Sequence, residues 1–293
     1  MLIERIIIMN KTSKKIVLAL LALISFSFLA VAAEPNISVF ANFVRRVSKE
    51  RNISLGEAAE RLYALGVRGV DAGPYEKDLD QLAATPLKII NFYYFAPMFD
   101  DAKFTEDAKR CLDTAVKYGV PRIMVIPPNF TADGDEAAEF DIILEKMKYF
   151  TAQAGKLGIK VTVEDFGGTK NACSHAKYLR RFLDEIPEIG FALDSGNMYY
   201  AGRGECILEF MEYAKGRIAH IHLKDQPKEN NRSYVTLGLG AVPNETIVTT
   251  MARAGYTGWY TLENPVGDTY TDTVRQTAVL KSWLEAAKAP PAE

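Results

Sequence analysis

The chain has 293 residues, 48% hydrophobic and 25% charged, with 20 Gly and 13 Pro, which excludes a disordered, collagen-like or low-complexity protein. Its 35 basic and 37 acidic residues leave a formal charge of −2, and no basic stripe lies outside the first fifteen positions, so nucleic acid is excluded as a partner. Cys111, Cys173 and Cys206 are too few and too scattered for a disulfide framework or a thiolate metal site.

In chain order, Lys11, Lys14 and Lys15 precede an uncharged run from Ile16 to Val31, and Ala30-Val31-Ala32-Ala33 supplies small residues for cleavage. Residues 1–33 therefore read as a secretory signal, the run being shorter than the roughly 20 residues that span a bilayer. Its removal leaves 31 basic and 36 acidic residues, a net charge of −5, and no cysteine placed to accept a lipid. For a bacterial source this predicts a periplasmic or secreted protein with no membrane attachment after cleavage.

Residues 34–293 alternate strand and helix as one domain. Short apolar or β-branched runs predict strands at Ile37–Phe43, Val67–Ala72, Leu87–Tyr94, Arg122–Ile126, Lys160–Asp165, Gly190–Asp194, Ile218–Leu223 and Trp259–Glu263. Helical spacing falls between them at Ser54–Leu65, with Ser54 and Glu57 as a capping box, and at Thr105–Tyr118, Glu136–Leu157, Ser174–Glu185, Glu205–Lys215, Glu245–Ala254 and Thr269–Ala287. Gly73–Pro86 is short for a full helix. Gly158 and Gly255 stand where helix C-caps precede strands. Eight βα units in about 250 residues predict an α/β fold, a (β/α)8 TIM barrel. A doubly wound sheet would want a glycine-rich turn after its first strand, and none is there.

Polar residues at the C-terminal ends of barrel strands line the active site. Strands five to eight end in Glu164, Asp194, His222 and Glu263, and period-two alternation puts all four on the face opposite Val161, Val163, Leu193, Ile221, Leu223 and Leu262. Adjacent strands are about 4.8 Å apart, so four such tips can converge on one cation, about 2.1 Å from each donor. Three carboxylates crowded together without a cation would repel one another. His220, two residues below His222, belongs to a deeper layer.

The segments Val163-Glu164-Asp165-Phe166-Gly167-Gly168, Leu193-Asp194-Ser195-Gly196-Asn197, His220-Ile221-His222-Leu223-Lys224-Asp225 and Gly255-Tyr256-Thr257-Gly258-Trp259-Tyr260-Thr261-Leu262-Glu263 resemble the sugar phosphate isomerase/epimerase family of xylose isomerase-like TIM barrels. The resemblance implies one divalent metal ion (Mn, Co, Mg or Zn) held by Glu164, Asp194, His222 and Glu263. It also implies a small-molecule sugar substrate and proton transfer beside a carbonyl through an enediolate, with Glu164 and Glu263 as the two catalytic glutamates. Asn197, Lys228, Asp225 and His220 become the substrate-binding candidates, and a homodimer is the oligomer that relatives suggest.

The substrate shell departs from free-ketose epimerases: Asn197 replaces a His, Lys228 an Arg and Lys170 a Glu. Isomerase or epimerase chemistry, β-elimination by a 3-keto-glycoside lyase, and a non-catalytic metal-containing sugar-binding barrel all stay open. Abasic-site endonucleases share the superfold but need many histidines, and this chain has three. Tyr93, Tyr94, Phe95, Tyr199, Tyr200 and Trp259 are candidates for stacking on a sugar ring. Leu237-Gly238-Leu239-Gly240 resembles the Gly-x-Gly loop that follows strand seven in relatives.

Overall fold

Eight parallel strands close into a barrel in sequence order: β1 (Ile37–Phe40), β2 (Val67–Ala72), β3 (Lys88–Phe95), β4 (Arg122–Ile126), β5 (Lys160–Glu164), β6 (Gly190–Asp194), β7 (Ile218–Leu223) and β8 (Trp259–Leu262), with β8 paired back onto β1. This is the (β/α)8 arrangement that the alternation predicts. The computed structural model describes residues 34–289 apart from 167, 169, 230 and 231, so the signal sequence read at 1–33 lies outside the described residues. Among the described residues, no helix is long and apolar enough to cross a membrane.

Helices α1 (Ala41–Arg51) and α2 (Leu55–Ala64) follow β1, and α3 (Leu79–Ala83) follows β2. Then come α4 (Asp101–Tyr118), α5 (Glu136–Lys156), α6 (Ala176–Glu185), α7 (Asn197–Tyr200), α8 (Ile207–Ala214), α9 (Asn244–Arg253) and α10 (Thr269–Ala286). The first strand is shorter than its apolar run suggests. From Ala41 onward the buried residues are Ala41, Phe43, Val44 and Val47, a helical spacing that wins over strand propensity once the chain has turned out of the sheet. This helix ends at Asn52, in the left-handed conformation at φ 51°.

Local signals mark the ends of several other helices. Ser54 and Glu57 form the expected capping box on α2. Asp100, Asp135 and Asp268 cap α4, α5 and α10 by accepting first-turn amides. Gly158 and Gly255 adopt φ 71° and 81° just past α5 and α9, which a side chain would resist.

The strands separate two interiors. Val161, Val163, Leu193, Ile221, Leu223 and Leu262, all essentially inaccessible, pack outward against the helices in one large apolar core. Inside the barrel the apolar contribution is small, Met124, Ile126 and Ala192 with Tyr93 and Phe166 against them. The rest of the inner face is polar and buried: Ser38, Asp71, Asn91, Thr162, Glu164, Asp194, His220, His222 and Thr261. Of these, Ser38, Asp71, Asn91, Glu164, His220, His222 and Thr261 are joined in one hydrogen-bonded network.

Candidate active site

Strand register decides which polar side chains meet. Asp194 of β6 pairs across to His222 of β7, His222 to Thr261 of β8, and Glu164 of β5 to Ala192 of β6. Glu164 and Asp194 end their strands, His222 lies one residue from the end of β7, and Glu263 follows β8 directly. All four thus stand at the C-terminal mouth of the barrel, where loops rather than strands can reach a substrate.

His222 Nδ1 lies 2.6 Å from Glu164 Oε1 and 3.9 Å from Asp194 Oδ2. The ligand atoms of Glu164, Asp194 and His222 are all within 4.8 Å of one another, close enough to share one cation. Glu263 joins them through Lys224, whose Nζ is 2.6 Å from Glu263 Oε2 and 2.8 Å from Asp194 Oδ2. Lys224 is buried, with a side chain 4% exposed. Asp194 Oδ1 accepts the amides of Gly196 and Asn197 at 2.8 Å each, whereas Oδ2 is buried and receives no well-directed hydrogen bond. Glu164, Asp194 and His222 thus bring carboxylate oxygens and an imidazole nitrogen within reach of one ion, a donor set that suits a hard or borderline divalent cation and fits the metal that the sequence implies.

Charge crowding sets the proton affinities. Burial, with the charges of Asp194 and Glu164, pushes the Glu263 carboxyl up to about 8 against the opposing pull of Lys224. Burial would also raise Asp194, but the Lys224 ammonium overrides it and holds that carboxyl below its ordinary value. Burial would lower His222; bonds to Asp71 and Glu164 instead raise it well above its ordinary value. His220 goes the other way, lowered well below its ordinary value by burial and by the Arg122 charge.

Several of these groups were not singled out from the sequence. Asp71, near the end of β2, accepts from Asn91 Nδ2 at 2.7 Å and Thr261 Oγ1 at 3.1 Å, and lies 3.3 Å from His222 Nε2. A carboxylate interrupting the apolar pattern Val67–Ala72 at the C-terminal end of a strand is the signal that could have found it. Asp165 Oδ1 accepts the Asp194 amide at 2.7 Å, its carboxyl raised first by burial and then by the Asp194 charge. Lys224 follows β7 directly, and only the fold shows that it turns in among the carboxylates.

The substrate-binding candidates disperse. Asn197 is 8% exposed and opens α7 beside Asp194, to which its amide is bonded. Lys228 lines a pocket of about 490 Å³ with Tyr199, Gly202, Gly204, Glu229, Ala241 and Pro243. Asp225 spends its carboxylate on the amides of Gln226, Gly238, Gly240 and Val242, anchoring the Gly-x-Gly loop. A Cβ on Gly240 would lie 2.1 Å from Asp225 Oδ1, so here the glycine makes room for that anchor. His220 is fully buried, with Nδ1 on Arg122 and Nε2 on Thr261.

The aromatic candidates divide by alternation. Phe40 stands edge-on to His222 at 5.1 Å between ring centres, and Tyr93, Phe95 and Phe166 continue from it in successive ring contacts, with Phe95 61% exposed. Tyr94 instead points outward and packs on Phe150. Trp259 begins β8, at the barrel end opposite the mouth. Neither can stack on a ligand at the site, because successive strand residues face opposite sides and a parallel strand reaches the mouth only at its end.

A barrel of this order with carboxylates and a histidine at its mouth defines a class, and sequence comparison agrees. The chain belongs to the xylose isomerase-like TIM barrel family, whose model matches residues 58–286. An inosose dehydratase from Histophilus somni (strain 129Pt) is 26% identical over 145 residues, 43% of this chain and 48% of that protein, so the match spans about half the length of this curated relative. Among solved structures, a D-tagatose 3-epimerase-like protein superposes with a TM-score of 0.69 at 16% identity, covering 86% of this chain and 98% of that one. A xylose isomerase-like TIM barrel protein from Mycobacterium smegmatis, in complex with magnesium, superposes with a TM-score of 0.64 at 16% identity, covering 88% and 98%. At such identities the structural likenesses establish the fold.

Proposed function

We propose that this protein is a divalent-metal-dependent sugar isomerase or epimerase that transfers a proton next to a carbonyl through an enediolate. The observation that carries this reading is the pair of glutamates, Glu164 on β5 and Glu263 after β8, which flank Asp194 and His222 on the intervening strands. Two carboxylates on opposite sides of one small site suit removal of a proton from one face of a carbon and its return elsewhere.

Glu164, Asp194, His222 and Glu263 are the residues that would hold the metal. When bound, the cation polarises a carbonyl and stabilises negative charge developing on oxygen. Glu164 and Glu263 move the proton, Lys224 supplies a fixed positive charge between Asp194 and Glu263, and Asp194 anchors Lys224. The aromatic wall from Phe40 to Phe166 offers an apolar face to a sugar ring and excludes water from the reacting carbon.

A second reading uses the same proton abstraction. With a leaving group beta to the carbonyl, the enediolate expels it, giving a 3-keto-glycoside lyase or a dehydratase, and the 145-residue similarity to an inosose dehydratase favours keeping that outcome in view. Export to the periplasm or medium is part of the proposal, supported by the lysine-flanked apolar run before residue 34, and N-terminal sequencing of the mature protein tests it.

The deciding experiment incubates metal-loaded protein in deuterated water with free ketoses and 3-keto-glycosides and follows them by NMR. Deuterium beside the carbonyl supports enolisation, and the products separate isomerase or epimerase from lyase. Ligand binding without exchange across the panel would replace the catalytic reading with that of a sugar-binding barrel.

A further inference from the structure

A line of hydrogen bonds runs through the barrel interior from the N-terminal end of β4 to the mouth. Arg122 Nη1 lies 2.9 Å from His220 Nδ1, and His220 Nε2 lies 2.6 Å from Thr261 Oγ1. Thr261 Oγ1 is 3.1 Å from Asp71 Oδ1, and Asp71 Oδ2 is 3.3 Å from His222 Nε2. Ser38 Oγ adds a contact of 2.6 Å to Thr261, and Asn91 Nδ2 one of 2.7 Å to Asp71. Apart from half-buried Arg122, every member is completely buried.

The polarity of this line follows from its ends. A guanidinium only donates, so His220 Nδ1 accepts and the ring proton sits on Nε2. That proton goes to Thr261 Oγ1. Thr261 has a single hydroxyl proton, which it donates to Asp71 Oδ1; Ser38 then fills the second lone pair of Thr261 by donating. Asp71 Oδ2 accepts from Asn91, and its contact with His222 is a hydrogen bond only if Nε2 carries a proton. Nδ1 is left as the His222 nitrogen facing Glu164 and Asp194.

We propose that Arg122 and Asp71 are positioning residues that act along this line to hold the His222 ring in one orientation, with Nε2–H on Asp71 and Nδ1 presented to the carboxylates at the mouth. The inference rests on the reading of His222 as a cation ligand and adds what orients it. A metal-bound histidine whose second nitrogen is held by a carboxylate has a fixed ring and a more basic donor atom. Here that carboxylate is itself held by Thr261 and Asn91, and the direction of the line is set from the far end of the barrel.

The chain has three histidines, His175, His220 and His222, so protein labelled with 15N-histidine gives few ring signals. In the metal-free protein His220 should show a bare Nδ1 and a protonated Nε2, and His222 a protonated Nε2. Added Zn²⁺ should shift Nδ1 of His222 and leave its Nε2 protonated. Asp71→Asn should weaken Zn²⁺ binding by about 10- to 100-fold. Arg122→Met should release His220 from its single tautomer and weaken Zn²⁺ binding, and Arg122→Lys, which still donates, should restore both. A proton on His220 Nδ1 in the parent protein, Zn²⁺ on Nε2 of His222, or unchanged Zn²⁺ affinity in both Asp71→Asn and Arg122→Met overturns the proposal. Zn²⁺ that shifts none of the three rings instead overturns the cation reading, and the ring protons of the metal-free protein still decide the line. That wild-type spectrum is decisive even if a variant fails to fold.

Discussion

The ammonium of Lys224 lies 2.6 Å from the carboxylate of Glu263 while its other close contact, at 2.8 Å, is Asp194. A buried cation thus sits between two of the carboxylates that would hold a metal, and it is what allows three acidic groups to share the barrel mouth. Removing one partner of a buried pair leaves an uncompensated charge, so Lys224→Met should lower stability by roughly 3 kcal/mol in metal-free protein. Added Mn²⁺ should recover much of the loss by binding the folded state. Denaturant unfolding with and without Mn²⁺ measures both, and a variant as stable as the parent without cation would remove Lys224 from this balance.

Glu263→Gln keeps the shape of the side chain and removes its acid–base function. Turnover of a substrate found in the deuterium-exchange experiment should fall by about a hundredfold or more, with the barrel still folded by circular dichroism. Activity near that of the parent would refute a mechanism using two glutamates.

Gly240 tests the loop anchor rather than the chemistry. A Cβ there would lie 2.1 Å from Asp225 Oδ1 and 2.5 Å from the backbone oxygen of Gln226, so the loop must move. Gly240→Ala should cost about 1–3 kcal/mol, the usual range for forced overpacking, and Gly216→Ala, where no atom lies within 4 Å, should cost far less. Equal melting temperatures for the two variants would contradict the close approach.

Acid sensitivity should be traceable to the pair of Arg45 and Asp78, which ties α1 to the turn before α3. Arg45 Nε lies 2.7 Å from Asp78 Oδ2, and this bond holds the Asp78 carboxyl below its ordinary value. A depressed carboxyl adds stability above the unfolded value, about 3.9, and loses it as pH falls through the folded value. The parent should therefore lose more stability than Asp78→Asn between pH 5 and pH 2, and parallel unfolding curves over that interval would exclude the pair as a contributor.

By itself the sequence determined the alternation of strand and helix and hence the barrel, because period-two and helical spacing are local properties of Val161, Val163, Leu193, Ile221 and their like. It also placed Glu164, Asp194, His222 and Glu263 at the mouth, since strand direction and alternation suffice to say which end and which face a residue takes. The boundary after Phe40 was not legible: a short apolar run fits both a strand and the start of an amphipathic helix. Tertiary structure decided the rest. Barrel closure brings Asp71 of β2 against His222 of β7, partners 151 positions apart that no local pattern connects. It turns Lys224 in among the carboxylates and joins Arg122 to His220 across the interior. Contacts of this kind depend on which strands face one another across a closed barrel, a property of the assembled sheet that no single segment carries.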